Sequence, residues 1–319
     1  MNNTLPIIIL KRLTMGLFIL FGVSILITVG VEALAGDVCS AVLGQAASPE
    51  TVAACQAQLG LNQPVYVRYL DWLFNVVQGD FGTSLANKRE VSELLSKRMG
   101  NTFYLATAAA IFAVPLGIFL GVVAALYRNS ALDHAISSST LAAISSPEFF
   151  VGYILMAIFA VSNNWFPAIS DVESAAGFWS RLYVSALPIM TLTLVTVAHM
   201  MRMTRASIVN LLASPYIEMA KLKGMKPSRI IIKHALPNAW APIIQVVVLN
   251  LGYMVVGCVV IEVVFVYPGL GALTVESVML RDLPIVQGTA MVFATVYVVL
   301  FLVADILSML ANPRLRYRK

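Results

Sequence analysis

The chain has 319 residues, of which 59% are hydrophobic and only 12% are charged, and its formal net charge is +5. Its mean hydropathy is +0.85. A soluble domain carries about a quarter charged residues, so this composition excludes an ordinary water-soluble fold and favours a protein that lies in a lipid bilayer.

The first predicted span covers residues 13–31 and follows the basic pair Lys11-Arg12. Ala33-Leu34-Ala35 resembles a signal-peptidase site, but the apolar run is longer than the roughly 7–15 residues of a signal peptide, so we expect the helix to be retained. A polar segment over residues 36–97 follows. Within it, Val65–Val77 has apolar and aromatic residues at helical spacing, which predicts a surface helix on the membrane or on a partner.

Five further spans are predicted, at residues 102–126, 135–161, 183–201, 239–266 and 285–310. The span at 135–161 is interrupted at Pro147-Glu148, which places Glu148 near mid-membrane. An ionisable residue at that depth is costly and is a functional candidate. The alternatives are that it pairs with another subunit or lies nearer the interface. Pro268-Gly269 ends the fifth span and predicts a type II turn.

Basic residues are unevenly divided between the two predicted sides of the membrane. With the N-terminus inside, 14 of the 21 Lys and Arg residues lie inside and seven lie outside. Because Lys and Arg favour the cytoplasmic side, we predict that both termini are cytoplasmic. Residues 1–35 would then hold the first span, 36–97 an external segment, 98–311 the membrane domain and 312–319 a basic cytoplasmic tail.

The longest predicted inner segment contains a short helix, a bend and a second helix. Ser214 and Pro215 suit the N-cap and first position of the short helix. Gly224 suits the left-handed conformation that ends such a helix. Pro227 can begin the second helix, which we expect Pro237 to end. Such a helix could dock in a cleft on another protein, and an ordinary basic loop is the alternative.

Patterns that would indicate catalysis or metal binding are missing from the sequence. The three cysteines have no metal-binding spacing. There is no Gly-rich phosphate-binding loop, no paired-carboxylate arrangement and no Ser/His/Asp or metalloprotease pattern. We therefore expect no catalytic residue and no metal ligand in this chain.

The residue order of the inner segment resembles the EAA motif of ABC importer permeases. That motif is Glu-Ala-Ala, three residues, Gly, nine residues, then Ile-x-Leu-Pro. Met219 and His234 depart from it but leave its spacing intact. The resemblance implies a coupling helix that fits a groove on the ATP-binding subunit and transmits its movement. The matching residues are Glu218, Ala220, Gly224, Leu236 and Pro237.

Other stretches across most of the chain are similar to the dipeptide/oligopeptide permease B-subunit family. They are residues 59–64, Tyr66, Tyr69, residues 79–82, Asn101-Thr102, Arg202, Arg205, residues 234–236, Glu262, Phe265, residues 268–271 and residues 312–317. The resemblance implies an all-α type I ABC importer permease with six transmembrane helices in the bacterial inner membrane, translocating di- or oligopeptides.

The same resemblance implies the partners and the cofactors. The partners would be a second, homologous permease, two ATP-binding subunits, a periplasmic solute-binding protein and membrane lipid, with no nucleic acid. ATP and Mg would be bound by the partner subunits, and this chain would hold no cofactor. The predicted depth of Glu148 in the membrane, rather than the resemblance, makes this residue a candidate for the transport path. Glu262, Pro268 and Gly269 would have a structural or gating role.

Cys39 and Cys55 both lie in the predicted external segment. Because that compartment is oxidising, we predict that they form a disulfide.

Two alternatives remain open at this point. An ion-gradient-driven secondary transporter or channel subunit would often show two similar halves with paired interrupted spans, and no such symmetry is found. Within the family, the solute could be a nickel chelate, glutathione or another small solute.

Overall fold

The computed structural model describes residues 4–33, 38–44, 47–58 and 60–311. Two parts of the sequence lie outside these residues. They are Leu34-Ala35, from the stretch that resembles a signal-peptidase site, and the predicted basic tail at 312–319. Within the described ranges the structure is helical, and its extended residues form only an isolated antiparallel bridge between Thr83 and Glu90.

The helices follow one another with short connections. In chain order they are α1 (Thr4–Glu32), α2 (Val38–Leu43), α3 (Pro49–Gln58), α4 (Val65–Val77), α5 (Val91–Leu126), α6 (Ala131–Ser145), α7 (Glu148–Leu155), α8 (Phe178–Val184), α9 (Ala186–Leu212), α10 (Pro215–Leu222), α11 (Pro227–Ile230), α12 (Leu236–Val264), α13 (Leu270–Met279) and α14 (Leu283–Ala311). A π-helical turn, Met156–Ser162, continues α7, and another, Ile231–Ala235, precedes α12.

Five helices in the described ranges are long and apolar enough to cross a bilayer. They are α1, α5, α9, α14 and the continuous helix Ser228–Val264, which ends with α12. A sixth span results if Ala131–Ser145 and Glu148–Ser162, which are bent by 104° relative to each other, count as one. The predicted all-α membrane fold is therefore confirmed, with the third span broken rather than straight.

The break in the third span follows from Pro147. The residue before a proline is disfavoured in the α conformation, and Ser146 has extended backbone with φ −95° and ψ 133°. In the last turn of α6, the hydroxyls of Ser145 and Ser146 donate to the carbonyls of Leu141 at 2.9 Å and Ala142 at 3.1 Å, a local bond that often bends helices.

Several helices extend beyond their predicted spans, α5 and α9 among them. Helix α5 begins at Val91 rather than at residue 102, because a charged, water-facing stretch continues the helix beyond the apolar run. Helix α9 continues to Leu212, past the predicted end at residue 201. Its Arg205 forms a two-point contact with the buried Asp133 of α6, at 2.8 and 2.7 Å, so this charge is paired within the bundle.

Pro237 does not end the second helix of the inner segment, contrary to the prediction. The chain forms one helix over Ser228–Val264. Proline lacks an N–H and clashes with the carbonyl four residues earlier, here that of Lys233. That carbonyl lies in the π-helical turn Ile231–Ala235, and Pro237 lies in the first turn of α12, where the missing N–H is tolerated.

Helices α5 and α9 form the centre of the bundle and pack closely. A Cβ atom on Gly117 would lie 2.9 Å from the Cβ of Met200, and one on Gly121 would lie 2.7 Å from the Cβ of Thr204. Small residues at helix contacts are the usual means of close packing in membranes. Helices α1 and α14 pack beside this centre, where a Cβ on Gly16 would meet a methyl group of Val298.

The segment between α1 and α5 is tied to α1. Tyr69 and Ser24 share a hydrogen bond between their hydroxyls at 2.8 Å, and Arg68 pairs with Glu32 at 2.7 Å. A disulfide joins α2 to α3, with the Cα atoms of its two cysteines 5.9 Å apart. The free face of α4 is apolar; its exposed residues are Tyr66, Leu70, Phe74 and Val77.

Candidate functional site

Helix α10 has the predicted bend at its end. Gly224 has a φ of 73°, and its N–H donates to the carbonyl of Lys221 at 2.9 Å. A Cβ at Gly224 would meet no atom within 4 Å, so its backbone conformation, not space, favours glycine. Ser214 lies at the N-cap position but makes no side-chain cap; its hydroxyl donates to the carbonyl of Leu211.

The inner face of α10 fixes the helix to the bundle. Ile217 is fully buried and Ala220 is 8% exposed, and both pack against Ile230 and Ala235. Ala220 therefore lies in the packed interface rather than on the free face. Its small side chain lets α10 approach the helix that follows.

The outer face of α10 is exposed and largely apolar. Tyr216, Met219 and Leu222 are 43%, 55% and 76% exposed. They recur every three residues, so they share one side of the helix. Glu218 is also exposed beside them. Met219 departs from the motif, yet its three-residue spacing from Tyr216 and Leu222 is visible in the sequence and identifies the free face.

The two remaining motif residues lie at the start of α12. Leu236 is half-buried and packs beside Ile208 and Ile243. Pro237 is exposed in the first turn of the helix. These residues lie in the helix that follows the bend and do not belong to the exposed apolar face of α10.

A second candidate site is a cavity of about 430 Å³ between α7, α9 and α12. It contains the carboxylate of Glu148 and several neutral polar groups. Among its lining residues are Thr196, His199, Asn250, Tyr253 and Gly257.

Glu148 is positioned in this cavity by the break before α7 and by a glycine on α12. A Cβ on Gly257 would lie 2.8 Å from Glu148 Oε2, so the absence of a side chain makes room for the carboxylate. Glu148 is half-buried, and within the described residues its carboxylate has no hydrogen bond and no ion pair. A carboxylate in this state is available to a ligand that carries hydrogen-bond donors or positive charge.

The third candidate site lies at the other end of α12, where Glu262 is fully buried. Thr102 donates its hydroxyl to Glu262 Oε1 at 2.6 Å. The backbone N–H groups of Gly271 and Ala272 donate to Oε2 at 2.7 and 3.1 Å. The carboxylate thus satisfies the N-terminus of α13, where helix N–H groups lack partners.

The predicted type II turn at Pro268-Gly269 is wrong. Gly269 has extended backbone, with φ −106° and ψ −176°, whereas the second central residue of that turn needs a positive φ. The left-handed residue of this loop is Val266, with φ 51°. Gly269 is needed for a different reason: a Cβ there would collide with the carboxylate of Glu262.

Asn101 joins the same cluster to α8. Its side chain donates to the carbonyl of Pro268 at 2.8 Å and accepts from Arg181 at 2.8 Å. Tyr267 donates its hydroxyl to the Asn101 carbonyl at 2.9 Å, and burial raises the pKa of this phenol, which keeps it protonated. The guanidinium of Arg181 stacks 4.2 Å from the ring centre of Tyr104.

A buried carboxylate also lies just beyond the C-terminus of α13. Asp282 is 1% exposed and accepts hydrogen bonds from the hydroxyl of Ser84 and from the N–H groups of Leu85 and Ala86, both at 3.1 Å. Its own N–H donates to the carbonyl of Ser277 at 2.8 Å. Sequence patterns gave no sign of Asp282, because its partners lie almost 200 positions away in the chain.

The structure therefore brings the sequence candidates together in separate groups. Glu262, Pro268 and Gly269 form one cluster with Asn101 and Thr102. The residues of α10 lie at the opposite end of α12. Glu148 lies in a cavity of its own between the two.

Comparison with known proteins agrees with this architecture. The family Binding-protein-dependent transport system inner membrane component matches residues 117–317, and its N-terminal family matches residues 6–106. The glutathione transport system permease protein GsiC of Salmonella typhimurium is 36% identical over 310 residues, 97% of this chain and 99% of that protein. GsiC of Escherichia coli K12 is 34% identical over the same coverage.

The fold also matches a solved structure, an inward-facing conformation of the MetNI methionine ABC transporter in its CY5 native crystal form. The TM-score is 0.55 and the sequence identity is 16%, with 69% of this chain and 96% of that chain covered. The family implies ABC system partners, an ATPase and a solute-binding protein. This chain belongs to the binding-protein-dependent transport system inner membrane component family and is a multi-pass permease subunit of an ABC importer.

Proposed function

We propose that this chain is one of two different permeases that together import peptide-like solutes. Two ATP-binding subunits would bind ATP and Mg and hydrolyse the nucleotide, and a periplasmic solute-binding protein would deliver the solute. The chain itself would catalyse no reaction and hold no cofactor. Movement of the ATP-binding subunits would reach the bundle through α10, whose exposed apolar face would lie in their groove.

The unpaired carboxylate of Glu148 in its cavity is the observation that carries the peptide proposal. A peptide has a free α-amino group that is positive at neutral pH, and a nearby carboxylate offsets part of the loss of its hydration. The remaining lining offers hydroxyl, amide and imidazole groups but no further acid. Glutathione, named for two relatives, also carries a free α-amino group.

Uptake by cells that carry the Glu148→Gln variant tests this proposal. We expect slower import of peptides with a free amino terminus and a smaller effect on N-acetylated analogues. Glu276→Gln, which neutralises an exposed acid on α13, is the matched control and should import both at the wild-type rate. If import of both solutes were slowed equally, or if less complex were assembled, Glu148 would have a structural role instead.

The solute class can be separated with the same cells. Competition among a labelled dipeptide, glutathione and a nickel chelate measures which solute the assembled importer prefers. A nickel chelate that competes best, with no effect of amino-terminal acetylation on peptides, would contradict the peptide proposal.

We also propose that both termini are cytoplasmic, that 36–97 is external and that 98–311 forms the membrane domain. The continuous helix α5 crosses the boundary between those two segments. In a background without cysteine, Ser92→Cys should react with an impermeant thiol reagent added outside, and Ser228→Cys should not. The reverse pattern would overturn this orientation.

The external location of 36–97 also predicts that the disulfide between Cys39 and Cys55 forms in the cell. Mass spectrometry of protein alkylated before lysis should find neither thiol modified. Two free thiols would exclude the bridge and remove its support for the external location.

A further inference from the structure

A crevice of about 450 Å³ lies where the end of α5 meets α9 and α10. Its floor is apolar and its rim carries two cations, Arg128 and Lys221. The apolar lining residues include Leu126, Val209, Leu212, Met225 and Ile231.

The two rim cations have no partner within the part of the chain that the structure describes. Arg128 and Lys221 are both exposed and make neither an ion pair nor a hydrogen bond through their side chains. Arg205, by contrast, is already neutralised by the buried Asp133. The crevice therefore presents uncompensated positive charge beside an apolar surface.

The crevice lies at the end of a candidate membrane span, a level that we place near the boundary between membrane and water. Leu126 is the last residue of α5, a predicted span, and Arg128 follows it by two residues. An apolar floor at this depth with cations at its edge suits a molecule that has an acyl chain and an anionic head. Basic pockets between helices at this level are a known arrangement for binding acidic lipid headgroups.

The free face of α10 is turned away from the crevice. Lys221 follows the buried Ile217 by four positions, so the two share one side of the helix. Tyr216, Met219 and Leu222 lie on the other, exposed side. A lipid in the crevice and a protein on the exposed face of α10 can therefore be bound together.

We propose that this crevice binds an anionic glycerophospholipid, with its phosphate between Arg128 and Lys221 and an acyl chain on the apolar floor. The lipid would fill the gap between the bundle and α10.

Native mass spectrometry of the purified full chain tests the proposal, with phosphatidylglycerol and phosphatidylcholine titrated separately. We expect phosphatidylglycerol to be retained more tightly. Because each cation near an acidic lipid contributes about fivefold, Arg128→Gln with Lys221→Gln should weaken its retention by roughly 25-fold. Lys223→Gln with Lys226→Gln removes two charges from the same end but outside the crevice, and should leave retention within about twofold of wild type.

A second variant tests the apolar floor with both cations kept. Ala213 lines the crevice and is exposed, so Ala213→Phe fills the space without disturbing the core. It should also lower phosphatidylglycerol retention while leaving the elution volume in size exclusion unchanged. Folding of every variant is checked by that elution.

Equal retention of both lipids, or unchanged retention in the double charge variant, would overturn the proposal. If the crevice variants instead released the ATP-binding subunit or changed the number of copies of this chain, with lipid retention unchanged, the crevice would be a protein interface. If inorganic phosphate at millimolar concentration abolished the preference for phosphatidylglycerol and Ala213→Phe had no effect, the site would bind phosphate alone. Each of these results rejects the lipid site.

Discussion

The two ends of α12 differ in how their polar and apolar groups are satisfied. At the Glu262 end, two buried carboxylates flank α13: Glu262 accepts hydrogen bonds from Thr102 and from the start of α13, and Asp282, just beyond its end, accepts from the turn before α5. At the Gly224 end, α10 is held by its inner face alone, and its apolar outer face is exposed. The two carboxylates at the first end have their partners within the described residues, whereas the second end exposes an apolar helix face.

This difference distinguishes residues that stabilise the fold of this chain from residues whose contacts require another subunit. Changes at the Glu262 end should lower the stability of the chain itself. Changes on the exposed face of α10 should leave the isolated chain stable and act only in the assembled importer. Stability can be measured as the free energy of unfolding in detergent, and function as ATP-driven uptake.

The largest effect on stability is expected from Glu262→Ala. It leaves the N–H groups of Gly271 and Ala272 and the hydroxyl of Thr102 buried without their acceptor, which should cost about 4 kcal/mol. Glu218→Ala removes an exposed acid at the other end and should change the free energy of unfolding by less than about 0.5 kcal/mol. Denaturant titration that found equal losses for the two variants would contradict the comparison.

A pair of glycine substitutions should give the next largest difference. A Cβ on Gly271 would collide with the backbone of Val259, so Gly271→Ala should cost about 3 kcal/mol. Gly224→Ala meets no atom and should cost about 1 kcal/mol, for its left-handed backbone alone. The same titration measures both, and a larger loss for Gly224→Ala would mean that the bend is packed more tightly than described.

Asp282→Asn should have a smaller and local effect. The amide keeps one acceptor oxygen of the two that Ser84, Leu85 and Ala86 use, so about 1–2 kcal/mol should be lost. Hydrogen exchange should quicken at Leu85 and Ala86, whereas exchange within α10 should not change. Faster exchange across the whole chain would show that the turn at residues 84–86 does not open independently of the rest of the fold.

The smallest effect on stability, and a large effect on transport, is expected from the free face of α10. Leu222→Ser should change stability by less than about 0.5 kcal/mol, since the side chain is 76% exposed. It should strongly reduce ATP-driven uptake and the recovery of the ATP-binding subunit. At the bend that follows this face, Gly224→Val should also uncouple transport, and it should cost more stability than Gly224→Ala, since a β-branched residue is poorly tolerated at positive φ. Wild-type uptake in both variants would reject the coupling role of this bend.

Local patterns in the sequence predicted the spans, the α10 helix and the bend at Gly224, because each depends on hydropathy or on one residue's backbone preference. They missed the true start of α5, since a helix that leaves the membrane loses its apolar signal. They also misread Gly269, whose requirement comes from the side chain of Glu262 rather than from its own φ. The contact between Asp282 and Ser84 depends on folding of distant segments, and no local pattern reports it.

The length of α5 has a mechanical consequence. Its 36 residues span about 54 Å at 1.5 Å per residue, while the hydrocarbon core of a bilayer is about 30 Å thick. Because α5 is one continuous helix, its projecting part and its membrane-spanning part form a stiff rod as far as Pro115, the proline inside the helix. A tilt of about 5° would shift the far end of such a rod by on the order of 5 Å. A protein that presses on the projecting end would thus apply torque directly to the centre of the bundle.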